Sequence, residues 1–198
     1  MLQKLKTFSI SIAVFAASAF YGQTINVPAK SPLQTIKQAF GLSDLTIEYS
    51  RPGAKNRVVF GDVVPFGKIW RTGANGSTKI TFGDDVKVEG FSVTAGTYAI
   101  YTIPNKDSWE FMFYKDLKLG GNVANYNKEN EVIHFTVKPK STNDKTETFT
   151  IDLASITPTS VNVDLVWEQT RVGFTVVAVM PGMSLRQKQP RQGGIPHQ

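Results

Sequence analysis

Apolar and polar residues alternate with a period of two along most of the chain after Leu45. In the first such segment Leu45, Ile47 and Tyr49 share one face, while the residues between them are polar. The same alternation recurs in the segments 77–82, 109–114, 133–138, 149–153 and 161–167. Half-buried strands have this pattern, which predicts roughly nine to eleven strands in all.

Short clusters of Gly, Pro, Asn and Asp separate these segments. They include 83–85, 89–90, 95–96, 104–107, 119–122 and the polar run 140–145. Turns spaced about eight to twelve residues apart, with no long helical pattern between them, are typical of a sandwich or a barrel. We therefore predict an all-β chain that folds as a single β-sandwich, with a jelly-roll-like or barrel-like arrangement as the alternative.

The segment 31–40 has signals for two structures. Ser31 followed by Pro32 resembles a capped helix start, and Gly41 is a possible helix stop. Against a helix, Thr35 and Ile36 are β-branched and the segment is short. A short helix and an extended first strand both remain open.

The first 22 residues have the three-part pattern of a signal peptide. Lys4 and Lys6 precede an apolar run from Phe8 to Ala19, and small residues follow. A run of about a dozen residues is shorter than the roughly 20 that cross a bilayer, so we expect no transmembrane anchor. Cleavage after Ala19 or after Gly22 fits equally well.

These signals divide the chain into three parts: a signal peptide at 1–22, a β-sandwich domain at 23–175 and a disordered tail at 176–198. The tail is polar, rich in Gln and without periodicity. We expect an exported protein that is periplasmic or extracellular. Because the chain has no cysteine, a lipidated amino-terminal Cys and disulfides are excluded.

The net charge of +6 comes from the two ends of the chain. Five of the 22 basic residues lie in the signal peptide or the tail, so 17 basic residues face all 16 acidic ones in the domain between. No stripe of basic and aromatic residues is present. We expect no nucleic-acid partner.

The usual catalytic and metal motifs are absent or weak. The domain has one histidine, His134, on the polar face of a predicted strand, where a hydrogen-bonded surface role is the simpler interpretation. With one histidine and no cysteine, we expect no zinc site, and nothing indicates a cofactor. The acidic pairs Asp84-Asp85 and Glu129 with Glu131 fall in turns, where solvated carboxylates are usual.

Arginine, aromatic and glycine residues cluster between Tyr49 and Asn75. An arginine beside an aromatic ring can bind a carboxylate, a phosphate or a sugar through paired hydrogen bonds and stacking. The candidate ligand-binding residues are Arg51, Arg57, Trp70, Arg71, Asn75 and Tyr98, with Tyr101 as an alternative to Tyr98. The structural alternative pairs Arg51 and Arg71 with Glu48 or Glu168 and places Trp70 in the core.

Several of these motifs resemble those of a known bacterial family. The motifs are Tyr49-Ser50-Arg51-Pro52, Val64-Pro65-Phe66-Gly67, Trp70-Arg71-Thr72-Gly73-Ala74-Asn75 and Ala95-Gly96-Thr97-Tyr98. They are similar to those of the domain of unknown function 2911 family over about residues 31–172. The resemblance implies an exported single-domain β protein, and it carries over no catalytic residue. After Val172 the chain departs from the family pattern, which leaves the last strand in doubt.

Three functional hypotheses follow. The first is an envelope protein that binds a small molecule, a glycan or another envelope protein through the arginine-rich region. The second is a hydrolase that uses a carboxylate such as Glu48 or Glu168 beside an arginine. The third is a structural accessory of an envelope assembly, in which the Trp70–Asn75 segment is only architecture.

Overall fold

The computed structural model describes residues 27–180, so the predicted signal peptide and residues 181–198 of the predicted tail lie outside it. This part of the chain contains ten strands and two single-turn 3-10 helices, Val123–Asn125 and Lys128–Asn130. The strands are β1 Leu33–Phe40, β2 Ser43–Ser50, β3 Thr78–Phe82, β4 Val86–Val88, β5 Phe91–Val93, β6 Gly96–Pro104, β7 Trp109–Tyr114, β8 Glu131–Val137, β9 Lys140–Ala154 and β10 Ser160–Ala178. Within this range, no helix has the length and apolarity that crossing a membrane requires.

The strands form two antiparallel sheets that pack face to face. The larger sheet has six strands in the order β1-β2-β3-β6-β7-β8, and the smaller has four in the order β5-β4-β10-β9. β1 contacts β10 along one side of the sandwich, and β5 contacts β8 along the other. The predicted all-β sandwich is confirmed.

The ambiguous segment near the start is a strand. Residues Leu33 to Phe40 pair with β2 along its full length, from Leu33 opposite Ser50 to Phe40 opposite Ser43. The hairpin turn begins at Gly41, which has a φ of +64° and lies so close to Ala178 that an added Cβ would be 2.8 Å from its side chain. Pairing with a neighbouring strand overrides the helix-start signal at Pro32.

The last strand extends beyond the predicted end of the domain. Val176 is fully buried and pairs with Val88 of β4. The domain boundary predicted at residue 175 is therefore placed too early, because residues up to Ala178 belong to the smaller sheet. The alternation of Val172, Phe174 and Val176 carries the strand past the point where its sequence departs from the family pattern.

β10 folds back so that its two halves lie side by side. Ala178 donates its backbone N–H to the carbonyl of Thr159 at 2.9 Å, and Thr175 hydrogen-bonds Asn162 through their side chains at 3.0 Å. Glu168 lies between the two halves with a φ of +49°. This left-handed residue allows the chain to reverse direction inside one continuous strand.

Aromatic side chains fill one end of the core between the sheets. Trp70 stacks on Trp167 with ring centroids 6.0 Å apart and meets Trp109 and Phe149 edge to face at 6.4 and 5.3 Å. The indole N–H of Trp70 donates to the carbonyl of Gly73 at 3.0 Å, so the ring is buried without an unsatisfied donor. These rings join the two sheets and the loop between β2 and β3.

We expect Trp70→Ala to lower the free energy of unfolding by about 3–5 kcal/mol, because it leaves a large cavity among packed rings. Leu42→Ala is the control, since Leu42 is 71% exposed. We expect the control to change stability by less than about 0.5 kcal/mol. Urea unfolding followed by tryptophan fluorescence and circular dichroism measures both. Equal stability of Trp70→Ala and the wild type would contradict the assignment of Trp70 to the core.

Candidate functional site

The segment after Trp70 carries Arg71 to the outer face of the six-stranded sheet, which is the face turned away from the four-stranded sheet. Trp70 exchanges backbone hydrogen bonds with Thr102 near the end of β6, at 2.8 and 2.9 Å. Since successive side chains on an extended chain point to opposite faces, Trp70 enters the core and Arg71 lies on the outer face. The backbone of β6 thus sets the position of Arg71.

The turn that follows Arg71 has a constrained backbone. Thr72 is fully buried and has a φ of +57°, which is rare for a β-branched residue and costs about 1–3 kcal/mol. Its hydroxyl lies 3.2 Å from that of Thr102, and its carbonyl accepts a hydrogen bond from the hydroxyl of Thr78. Gly73 packs tightly against the backbone of Ser50, since an added Cβ would be 3.1 Å from the carbonyl oxygen of Ser50. These contacts hold the turn in one conformation.

Arg71 has an uncompensated charge at this position. Within residues 27–180 its guanidinium has no ion-pair partner, and its Nε is buried without an acceptor. Gly121 lies against the guanidinium, so closely that a Cβ there would be 3.1 Å from Nη1. A buried donor without a partner costs about 1–3 kcal/mol.

Ser77 is a second buried polar group without a partner. It is 7% exposed, and its Oγ has no hydrogen bond to any described residue. Burial raises the pKa of Tyr101, while the nearby Ser77 and Arg71 partly oppose that shift, so the three side chains are neighbours. The Tyr101 hydroxyl donates to the carbonyl of Gly120 at 2.9 Å, and the neighbouring Ser77 Oγ is left without a hydrogen bond of normal geometry.

Residues 115–130, which we call the cover loop, pack over part of the outer face. Tyr126 of the loop stacks on Tyr114 with ring centroids 4.5 Å apart and meets Tyr101 edge to face at 5.4 Å. The Tyr114 hydroxyl accepts the backbone N–H of Asn127 at 3.0 Å, and Tyr126 donates to Glu131 at 3.1 Å. The cover loop is therefore held by a small second core on the outer face.

A recess of about 360 Å³ opens where the cover loop meets β1, β2 and β3. We call it the outer-face recess. Its walls include Leu33, Glu48, Asn75, Ser77, Lys79 and Lys118. Arg71 lies behind this wall, next to Ser77 and Tyr101 and under Gly121. A recess of this volume, lined by apolar side chains and a few polar ones, has the usual construction of a small-ligand site.

Among the residues predicted as ligand contacts, Asn75 lines the outer-face recess, while Arg71 and Tyr101 lie behind its wall. Asn75 lines the recess, and its side-chain amide donates to the carbonyl of Ser31 and to the hydroxyl of Ser50, both at 3.2 Å. The amide N–H groups therefore already have partners inside the fold.

The other predicted contacts lie elsewhere. Arg51 reaches across to β9, where it donates to the carbonyl of Phe149 at 3.2 Å and to the hydroxyl of Thr150 at 2.9 Å. Arg57 is exposed and folds onto its own turn, donating to the carbonyls of Ala54 and Gly53.

The two aromatic candidates are core residues. Trp70 belongs to the aromatic cluster between the sheets, and Tyr98 is buried on the core face of β6 beside Phe82 and Phe113. The Tyr98 hydroxyl donates to the carbonyl of Thr94 at 2.8 Å. Neither ring lines the outer-face recess.

The carboxylates considered for a hydrolase pair with lysines rather than with the candidate arginines. Glu48 lies 3.5 Å from Lys79. Glu168 accepts the backbone N–H of Val59 at 2.8 Å and pairs with Lys145 at 3.3 Å. Glu168 thus fixes the loop after β2 at the reversal of β10, which is a structural task.

His134 lies between two carboxylates on the outer face. Its Nε2 is 2.9 Å from Glu110 and its Nδ1 is 3.0 Å from Glu131. Its ring is therefore hydrogen-bonded at the surface, and no serine takes part in these contacts. Within residues 27–180, no group of three or more His, Cys, Asp or Glu side chains could hold a metal ion.

The comparison with protein families agrees with the motifs that surround this site. The family model described as "Protein of unknown function (DUF2911)" matches residues 31–176. The chain belongs to this family. No curated protein and no solved structure matches the chain significantly.

Ser77 and the cover loop of this DUF2911 domain were not among the predicted site residues. The period-two pattern puts Thr78, Ile80 and Phe82 toward the core, so it assigns Ser77 to the outer face. A residue on that face is expected to be solvated. The cover loop, which comes from a distant part of the sequence, lies beside Ser77 and helps to bury it.

We expect Tyr126→Phe to lower the free energy of unfolding by about 1–3 kcal/mol near neutral pH, because the hydrogen bond to Glu131 is lost. Burial and the nearby Glu131 carboxylate raise the pKa of Tyr126, so it keeps its proton in the folded state when the unfolded phenol ionises above about pH 10. The wild type therefore loses stability as the pH rises through this range. Tyr126→Phe lacks this contribution, so the difference in free energy of unfolding between the wild type and the variant should narrow as the pH rises. Urea unfolding at neutral and alkaline pH measures this difference. A difference that stays constant or widens would contradict the hydrogen bond between Tyr126 and Glu131.

Proposed function

We propose that the protein is a binding protein that takes a small anionic ligand at the outer-face recess. The observation that carries this proposal is a pair of buried, unpartnered polar atoms: Ser77 Oγ belongs to a residue of the recess wall, and Arg71 Nε lies behind that wall. Folded proteins rarely leave such groups unsatisfied, and those that remain often mark a functional site. A ligand that accepts hydrogen bonds from both would remove the cost of their burial.

The charges around the recess favour an anion. Arg71 has no carboxylate partner among the described residues, whereas Arg51 and Arg57 are occupied by backbone carbonyls. Guanidinium groups bind carboxylates and phosphates through short, charge-assisted hydrogen bonds. An uncompensated, half-buried guanidinium is therefore best explained by a ligand of opposite charge.

In this proposal the ligand reaches the buried donors by a small movement of the cover loop. Arg71 Nε and Ser77 Oγ are both shut off from solvent. Gly121 lies against the Arg71 guanidinium, and Gly120 lines the recess together with Ser77. Adjacent glycines let the backbone change conformation at low steric cost. The closed arrangement excludes water from the donors, which strengthens their interaction with a bound anion.

The hydrolase hypothesis has no support in the geometry, since Glu48 and Glu168 are paired with lysines and neither forms an ion pair with Arg51 or Arg71 in residues 27–180. The accessory hypothesis predicts that the turn after Trp70 has only structural contacts. The unpartnered Arg71 at the start of that turn favours binding instead.

The paired variants Arg71→Met and Arg51→Met separate a binding arginine from a structural one. Methionine keeps the apolar stem of each side chain and removes the donors. We expect Arg71→Met to keep or raise stability, because it removes an unsatisfied donor, and to weaken anion binding about 10- to 100-fold. We expect Arg51→Met to lose about 1–3 kcal/mol of stability through two lost hydrogen bonds and to keep its affinity.

Urea unfolding measures the stabilities, and calorimetric titration with acetate, hexanoate and inorganic phosphate measures binding. The proposal fails if no anion of this panel binds the wild type, or if Arg71→Met binds as well as the wild type does.

We also propose that the protein is exported and acts in the periplasm or outside the cell. Support comes from Lys4 and Lys6, followed by the apolar run from Phe8 to Ala19, which together have the composition of a signal peptide. The near balance of charge in the rest of the domain gives no reason to expect a nucleic-acid partner in the cytoplasm.

Expression of the full chain in a bacterial host tests export. We expect the secreted or periplasmic protein to begin at Phe20 or Gln23, as intact-protein mass spectrometry would show. Val14→Arg interrupts the apolar run and should leave the uncleaved protein in the cytoplasm. Cytoplasmic, full-length wild-type protein would contradict the proposal.

A further inference from the structure

We infer that the ligand of the outer-face recess is a monocarboxylate that carries a compact apolar group. This inference rests on the proposed function, and it names the chemical class of ligand that the site selects. Three properties of the recess lead to it: the number of free charges, the number of free donors and the composition of the walls.

The charges favour a single negative charge on the ligand. Lys79 is paired with Glu48 at 3.5 Å, so it is not free to compensate an anion, and the Glu48 carboxylate lines the same recess. Lys118 is exposed, where water screens its charge. Arg71 is left as the one unpaired, half-buried cation among the described residues of the site. A dianion would bring a second charge toward Glu48 with no buried partner.

The buried free donors match a carboxylate group. The buried atoms without a partner are Arg71 Nε and Ser77 Oγ, while the side-chain amide of Asn75 already donates to Ser31 and Ser50. Two donors can satisfy the two oxygens of a carboxylate. A phosphate or sulfate has three or four oxygens, some of which would be buried without a donor, and that is unfavourable.

The walls favour an apolar body. Leu33 is 64% exposed at the rim, and Leu117 of the cover loop lies on the other side of the recess. A volume of about 360 Å³ corresponds to roughly a dozen water molecules, so the body is small. A sugar of that size would carry several hydroxyls against leucine side chains, which cannot satisfy them.

Calorimetric titration with a matched ligand series tests this inference. At constant ionic strength, the wild type is titrated with acetate, butyrate, hexanoate and octanoate, and then with hexanamide and hexyl phosphate. We expect the affinity to rise about threefold to fourfold per methylene until the recess is filled. Hexanamide, which lacks the charge, and hexyl phosphate, which carries too many oxygens, should each bind at least about 10-fold more weakly than hexanoate.

Two variants test which residue contacts the carboxylate of the ligand and which contacts its apolar group. Ser77→Ala removes an unsatisfied hydroxyl, so it should fold normally and weaken every carboxylate of the series about 10-fold. Leu33→Ala alters an exposed side chain of the rim and should reduce the dependence of the affinity on ligand chain length. Leu42→Ala, equally exposed but outside the recess, is the control and should change neither property.

The outcomes separate this inference from the proposed function. Tighter binding of hexyl phosphate than of hexanoate overturns the carboxylate assignment, and equal affinity across the carboxylate series overturns the apolar body. In both cases binding that depends on Arg71 leaves the proposed function standing. If no member of the series binds, or if Arg71→Met binds them all like the wild type, the proposed function and the inference fail together.

Discussion

The six-stranded sheet is buried on both of its faces at β6 and β7, and the candidate site follows from that constraint. One face forms the core of the sandwich. On the other face Ala99, Tyr101, Met112 and Tyr114 are also buried, which requires a second covering layer. A sandwich with two sheets leaves its outer faces to solvent. The cover loop supplies the missing layer, and its edge forms one wall of the recess.

Covering an outer face buries polar groups that water would otherwise satisfy. Tyr101 and Tyr114 meet this requirement through the backbone of the cover loop, at Gly120 and Asn127. Arg71 and Ser77, at the edge of the same layer, have no such partners among the described residues. The same loop thus provides hydrogen-bond partners for the two tyrosines and none for Arg71 and Ser77. The simplest physical reason for two buried donors without partners is a site for a ligand that accepts hydrogen bonds.

The sequence predicts the strands and the core face of the sheet because both depend on local alternation. Contacts between distant segments cannot be predicted from local alternation. Arg51 and Arg71 look equivalent in the sequence, yet only Arg51 meets a carbonyl, from Phe149 on β9, nearly a hundred residues away. The end of the domain was misplaced because β10 reverses at Glu168 and continues beyond it. One clue to the covered face was visible, since Met112 and Tyr114 occupy positions of β7 that a solvated face would give to polar residues.

The conformation of Thr72 links the fold to binding. A buried threonine in the left-handed region is unfavourable, and it persists only where surrounding contacts determine it. Here Thr102 of β6 and Thr78 of β3 bind its hydroxyl and carbonyl, so two strands of the sheet hold the turn that follows Arg71. The backbone next to Arg71 therefore has one fixed conformation without a ligand. For the proposed anion, less conformational entropy would be lost on binding, and its affinity would gain by that amount. The strain at Thr72 and the unpartnered Arg71 are thus two parts of the proposed site.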